Sequence, residues 1–120
     1  MGVLMKKYYL DTSIWIDLFE DRNEPNFAKT EYAIRLIDFV LSNGEIIIYS
    51  GIVLSELMSQ GYSKYEIKEF WRDLRPYLCF VRPNKYMLGK ARDIAIKRNL
   101  PKGDVLHAIL ARENRAILVS

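Results

Sequence analysis

The chain has 120 residues, half of them hydrophobic, with one histidine, one cysteine and a net charge of +3. That size and composition predict one domain with a full core and exclude a disordered chain. The apolar runs are too short to span a bilayer, and one His with one Cys argues against a Zn²⁺ site built from those residue types alone.

The opening residues, Met1 to Lys7, carry their charges after their apolar side chains, the reverse of a secretion signal. Lys6 stands where a myristoylation motif after Gly2 needs Ser or Thr. A cytoplasmic protein is expected. Val3 to Leu10 reads as a strand that Asp11 ends, and Thr12 or Ser13 is then expected to cap a short helix, Ile14 to Phe19. The polar stretch from Glu20 to Asn26 contains Pro25 and predicts a loop. Ala28 to Leu41 follows as a helix with Ala33, Leu36, Ile37 and Val40 on one stripe, stopped by Ser42-Asn43-Gly44.

Glu45 to Tyr49 is a continuous apolar run, as in a parallel sheet covered on both faces. Ser50 is expected to cap a helix from Gly51 to Gln60 with Ile52, Val53, Leu57 and Met58 toward the core, and Gly61 breaks it. Ser63 and Glu66 form a capping box opening a helix that Pro76 stops after Arg75. Leu78 to Val81 reads as a third strand, with Cys79 as a buried thiol. Asn84 to Arg98 and Pro101 to Glu113 are helical, and Ala116 to Val119 is the last strand. Strands alternating with helices predict a three-layer α/β/α sandwich with a mostly parallel sheet.

The charge is unevenly spread. Residues 1–60 carry a net charge of −4 and residues 61–120 a net charge of +7. A basic second half suits a polyanion, although a solvated lysine-rich surface explains it as well. Lys64, Lys68, Arg72 and Arg75 make one stripe at helical spacing, which reads slightly better as a solvated face. Lys97, Arg98 and Lys102 flank Asp104 and read better as phosphate contacts. Tyr62, Tyr65, Phe70, Trp71 and Leu74 are bulky for one short helix and its entry. Core packing accounts for most of them.

Three isolated acids stand where apolar segments meet polar residues: Asp11, Glu56 and Asp104. Each has an ordinary structural reading: a turn or cap for Asp11, an exposed helix edge for Glu56, and the positive end of a helix dipole for Asp104. Ligands of parallel α/β sheets sit beyond the carboxyl ends of strands, where Asp11 lies and which Glu56 follows. Ala108 and Ala111 on the face of Asp104 are expected to let that helix approach the sheet. Together the acids predict a hard-oxygen pocket for Mg²⁺ or Mn²⁺. His107, on the same face, reads as a packed or solvent-tipped histidine more readily than as a ligand.

The segment Tyr9-Leu10-Asp11-Thr12-Ser13 with Trp15-Ile16, then Ser55-Glu56-Leu57, then Pro101, Asp104, Ala108 and Ala111 resembles the PIN-domain nucleases, and among them the VapC-type toxin ribonucleases. The likeness spans the chain in motif order. It implies a parallel sheet flanked by helices, Mg²⁺- or Mn²⁺-dependent hydrolysis of RNA to a 3′-hydroxyl and a 5′-phosphate, a homodimer, and an antitoxin partner whose amphipathic helix fits an apolar groove. By position, Asp11, Glu56 and Asp104 are the implied metal carboxylates, and Thr12 or Ser13 the hydroxyl supporting the first. The family pattern also implies a fourth acid just past the last strand, where this sequence has Ser120 and no such Asp. The expectation is a single domain over 1–120 lacking the C-terminal end of that pattern, which weakens one metal position rather than the fold. A catalytically impaired PIN-like module that binds RNA or protein is the alternative. Phosphotransfer on Asp11 fits poorly, because Ser13 stands where a second Asp is needed and Lys6-Lys7 where an acidic pair is needed.

Overall fold

Short apolar runs rich in β-branched and aromatic residues form the strands, and amphipathic segments between them form the helices. A computed structural model describes residues 5–20 and 27–120. The elements are β1 (Lys7–Leu10), α1 (Thr12–Phe19), α2 (Phe27–Ser42), β2 (Ile46–Ser50), α3 (Gly51–Ser59), α4 (Lys64–Trp71), a 3-10 turn (Arg72–Tyr77), β3 (Leu78–Val81), α5 (Lys85–Arg98), α6 (Lys102–Glu113) and β4 (Ile117–Val119). Among the described residues the first strand starts at Lys7, with Met5 and Lys6 outside it; the expected strand residues Val3 and Leu4, and the expected loop from residue 21 to 26, lie outside the described residues.

The sheet order is β3-β2-β1-β4, and every pairing is parallel. Tyr9 lies opposite Ile48 on one side and Leu118 on the other. Helices α1 and α2 pack together, α1 also meets α3, α5 packs on α6, and α6 lies against β1 and β4. The result is the sandwich the alternation predicts. Its core is centred on β1 and β2, where Tyr9, Leu10, Ile47 and Ile48 are buried. Among the described residues no helix is long and apolar enough to cross a membrane.

Several local expectations change. Asp11, not Thr12 or Ser13, caps α1, its side chain accepting from the Ser13 N–H. Ser50 occupies the cap position of α3 but makes no capping bond, because its hydroxyl is engaged with Tyr9. The helix from Ser63 ends at Trp71 and tightens into the 3-10 turn around Pro76, whose ring disfavours α geometry at Arg75. Cys79 is exposed rather than buried, since β3 is an edge strand. Met58 is exposed, and so is Ala108, so the close approach of α6 rests on Ala111 and not on both alanines.

The turns use the residues their geometry demands. Gly44 and Gly61 end α2 and α3 at φ of +64° and +102°, and Asn99 caps α5 in the left-handed region. The capping box at Ser63 is complete, with the Glu66 N–H donating to Ser63 Oγ at 3.1 Å and the Ser63 N–H to Glu66 Oε1 at 3.1 Å. Ser63→Ala is expected to lower stability by about 1 kcal/mol, read as a urea-midpoint shift with an unchanged slope.

Candidate active site

Strand β1 delivers Asp11 to its carboxyl end, and the ladder continues one residue further through the Asp11 N–H to Val119 carbonyl bond at 3.0 Å. Strand β2 leads directly into α3, which carries Glu56, and α6 begins with Asp104 in its first turn. The chain runs from β1 through β2 to β3 in one direction and then crosses back to β4 on the far side of β1. The acids thus gather where the winding direction reverses, the place where parallel sheets open a crevice.

Asp11, Thr12, Ser13, Glu56, Asp104 and His107 line one cavity of about 230 Å³. The three sequence-predicted carboxylates, spread over more than ninety positions of the chain, therefore share a single space. No Lys or Arg belongs to that lining among the described residues. The two hydroxyls divide their work. Ser13 Oγ donates to Asp11 Oδ1 at 2.5 Å, while Thr12 Oγ1 donates to Glu56 Oε1 at 3.1 Å.

His107 is 3 % exposed. Its Nε2 meets Glu56 Oε1 at 2.6 Å, and its Nδ1 meets the Tyr9 hydroxyl at 2.6 Å. The Tyr9 hydroxyl also bonds Ser50 Oγ at 2.8 Å. Sequence reasoning missed Tyr9 and Ser50 and undervalued His107. A signal was present: His107 lies inside the run Val105 to Ala111, in which only Ala108 is exposed. A histidine among so many buried neighbours must find polar partners in the core.

Burial pushes the Tyr9 phenol up to about 12; the bond with Ser50 opposes this, and the charges of Glu56 and Asp11 add to it. An unfolded tyrosine ionises near 10, so the stability contribution is complete below about pH 10 and is lost as pH rises through about 12. The expected loss is about 1–2 kcal/mol, discounted for water in the adjoining cavity. Urea midpoints in chelator across that window should fall for the wild type, and the part due to Tyr9 should disappear in Tyr9→Phe.

The remaining predicted contacts lie apart from this cavity. Arg98 lines a second space of about 330 Å³ with Asp104 and Arg112, and Asp104 also lines the acidic cavity. Lys97 and Lys102 are exposed nearby in sequence. The basic stripe is divided: Arg72 pairs with Glu69, whereas Lys64, Lys68 and Arg75 rim an apolar groove over Trp71 and Tyr49. Of the bulky group, Trp71 and Leu74 are buried, and Tyr62 and Phe70 pack on Phe19; Tyr65 stays exposed.

As a donor set, three carboxylates around a polar cavity with no cationic lining fit a hard divalent cation. The side chains are not drawn together around a point, and among the described residues no three acids, His or Cys stand at chelating range. Asp11 and Glu56 are held by hydroxyl and imidazole donors instead.

A family model described as PIN domain matches residues 8–120. A comparison with curated proteins returns no match. Among solved structures, the chain is similar to one from VapBC2 of Rickettsia felis, determined bound to a DNA fragment from its promoter. That similarity has a TM-score of 0.65 and 21 % identity, covering 95 % of this chain and 86 % of the other. It carries the fold.

Proposed function

The chain belongs to the PIN domain family, and from that premise we propose that it is a cytoplasmic metal-dependent endoribonuclease, the toxin of a toxin–antitoxin pair, which hydrolyses RNA phosphodiester bonds. The observation that carries this reading is the shared cavity of Asp11, Glu56 and Asp104 with no cationic lining among the described residues. Similarity to a chain of the VapBC2 complex supports an antitoxin partner.

In this reading Asp11, Glu56 and Asp104 hold Mg²⁺ or Mn²⁺. The bound ion supplies charge stabilisation at the scissile phosphate and lowers the pKa of an attacking water. Ser13 keeps Asp11 Oδ1 oriented, and Thr12 does the same for Glu56 Oε1. Lys97, Arg98 and Lys102 bind flanking phosphates beside Asp104. The protein acts as a homodimer, which a sedimentation experiment checks; a strict monomer at high concentration removes that part.

The experiment that tests the whole is cleavage of RNA with Mg²⁺, with Mn²⁺ and with chelator. Cleavage that depends on the ion supports the reading, and ion-independent or absent cleavage overturns it. A second reading, a catalytically impaired PIN-like module that binds RNA or protein, draws on the lack of three donors at chelating range among the described residues. Titration with Mn²⁺ separates the two, since that module takes up no ion at the acids.

The phosphate contact gives a further expected result. Arg98→Ala should reduce the slope of log affinity against log salt by about 0.7 for single-stranded RNA. Arg75→Ala, on the apolar groove away from the acids, should leave that slope unchanged.

A further inference from the structure

The polar chain behind Glu56 has a direction, and the direction follows from counting protons. Tyr9 and Ser50 are fully buried, with one hydroxyl proton each. A carboxylate oxygen only accepts, so the 2.6 Å contact between Glu56 Oε1 and His107 Nε2 requires the proton on Nε2. With the ring neutral, Nδ1 is then an acceptor and takes the Tyr9 O–H at 2.6 Å, so that each contact in the chain has one proton. The Tyr9 oxygen in turn accepts the Ser50 O–H at 2.8 Å. The opposite order leaves a bare Nε2 facing a carboxylate, two acceptors at hydrogen-bond distance.

We propose that Tyr9, backed by Ser50, is a positioning residue that fixes His107 with its proton on Nε2, and that His107 thereby fixes Glu56 in the acidic cavity. Glu56 needs such a device. Its side chain is 42 % exposed, and a glutamate has enough rotamers to leave the cavity. Thr12 and His107 both donate to the same Oε1, one from α1 and one from α6, so the carboxylate is held from two helices while Oε2 lies on the side of Gly103. Oxygen ligands of a cation are commonly oriented by hydrogen bonds of this kind, and losing one lowers metal affinity or activity by about 10- to 100-fold. The inference rests on the nuclease reading for the use made of Glu56, but not for the proton positions.

The chain has a single histidine, so the imidazole nitrogen spectrum of the untagged, ¹⁵N-labelled protein reports His107 alone. In chelator and mildly alkaline buffer, a protonated Nε2 with a bare Nδ1 is expected. A bare Nε2 or a protonated Nδ1 overturns the proposal. In Tyr9→Phe the Glu56 contact keeps the proton on Nε2, but Nδ1 loses its donor, so the Nδ1 resonance should move toward that of an unbonded imidazole nitrogen; an unchanged spectrum also overturns it.

Mn²⁺ titration gives the second readout. Tyr9→Phe should weaken Mn²⁺ binding about tenfold. His107→Gln, which restores an amide donor toward Glu56, should bind more tightly than His107→Ala. Ile48→Val, a buried change directly opposite Tyr9 with no polar contact, should keep wild-type Mn²⁺ affinity. A purely structural role for Tyr9 makes Tyr9→Phe and Ile48→Val behave alike, and that result overturns the proposal. A wild type that takes up no Mn²⁺ overturns the nuclease reading instead, while the nitrogen spectrum still decides the proton positions.

Discussion

Asp11→Asn is expected to reduce metal-dependent RNA cleavage by at least about 100-fold, more than the loss of a supporting hydrogen bond costs. The fold should survive, because Asp11 has two separable duties. One is structural. Its Oδ1 accepts from the Ser13 N–H at 3.1 Å and from Ser13 Oγ at 2.5 Å, which starts α1. Asn retains that oxygen and is as good a cap as Asp. The other duty needs charge, and Asn lacks it. Without metal, the substitution loses about 0.3–1 kcal/mol of helix-dipole interaction and relieves repulsion from Glu56 and Asp104 by a similar amount. The metal-free Tm should therefore barely move. Saturating Mn²⁺ at about 100 times Kd stabilises the wild type by about 2.7 kcal/mol and should do almost nothing for the variant. Wild-type cleavage by clean Asp11→Asn protein removes the assignment of Asp11.

The sequence revealed the parts of this site that follow from periodicity and topology. Strand ends and helix starts are set by where apolar runs stop, so Asp11, Glu56 and Asp104 could be placed at the crevice without coordinates. The same reasoning failed where one side chain chooses between two partners. Ser50 stands at a cap position, and only the fold brings the Tyr9 hydroxyl within 2.8 Å to take its oxygen. Thr12 and Ser13 are adjacent and alike, yet α1 turns one toward Glu56 and the other toward Asp11. Cys79 went wrong for a different reason. A run such as Leu78 to Val81 reads the same on an inner or an edge strand, and only the order β3-β2-β1-β4 shows that it is an edge. The gathering of His107, Tyr9 and Glu56 joins positions 98 and 51 residues apart, which no local pattern encodes.

Trp15→Ala is the substitution expected to cost the most stability, about 3–5 kcal/mol, against a total of about 5–15 kcal/mol for a domain of this kind. Trp15 has no solvent exposure, and its ring meets Trp71 at 5.0 Å and 59°. Trp71 meets Tyr49 at 4.6 Å, and Tyr49 meets Phe80 at 5.1 Å, so one line of rings joins α1 through α4 to β2 and the edge strand. Removing the first ring leaves a cavity under the helix whose N-terminus carries Asp11, Thr12 and Ser13. Loss of cleavage should then accompany loss of fold, unlike Asp11→Asn, where the two separate. Trp15→Phe should behave differently. The indole N–H groups of Trp15 and Trp71 are buried with no acceptor among the described residues. Deleting an unpaired buried donor returns about 1–3 kcal/mol, which offsets much of the volume lost. The phenylalanine variant should sit within about 1–2 kcal/mol of wild type by urea unfolding. If it proves as costly as alanine, the Trp15 N–H has a hydrogen-bond partner in solution, and a bound water beneath α1 becomes part of what holds the acidic cavity in shape.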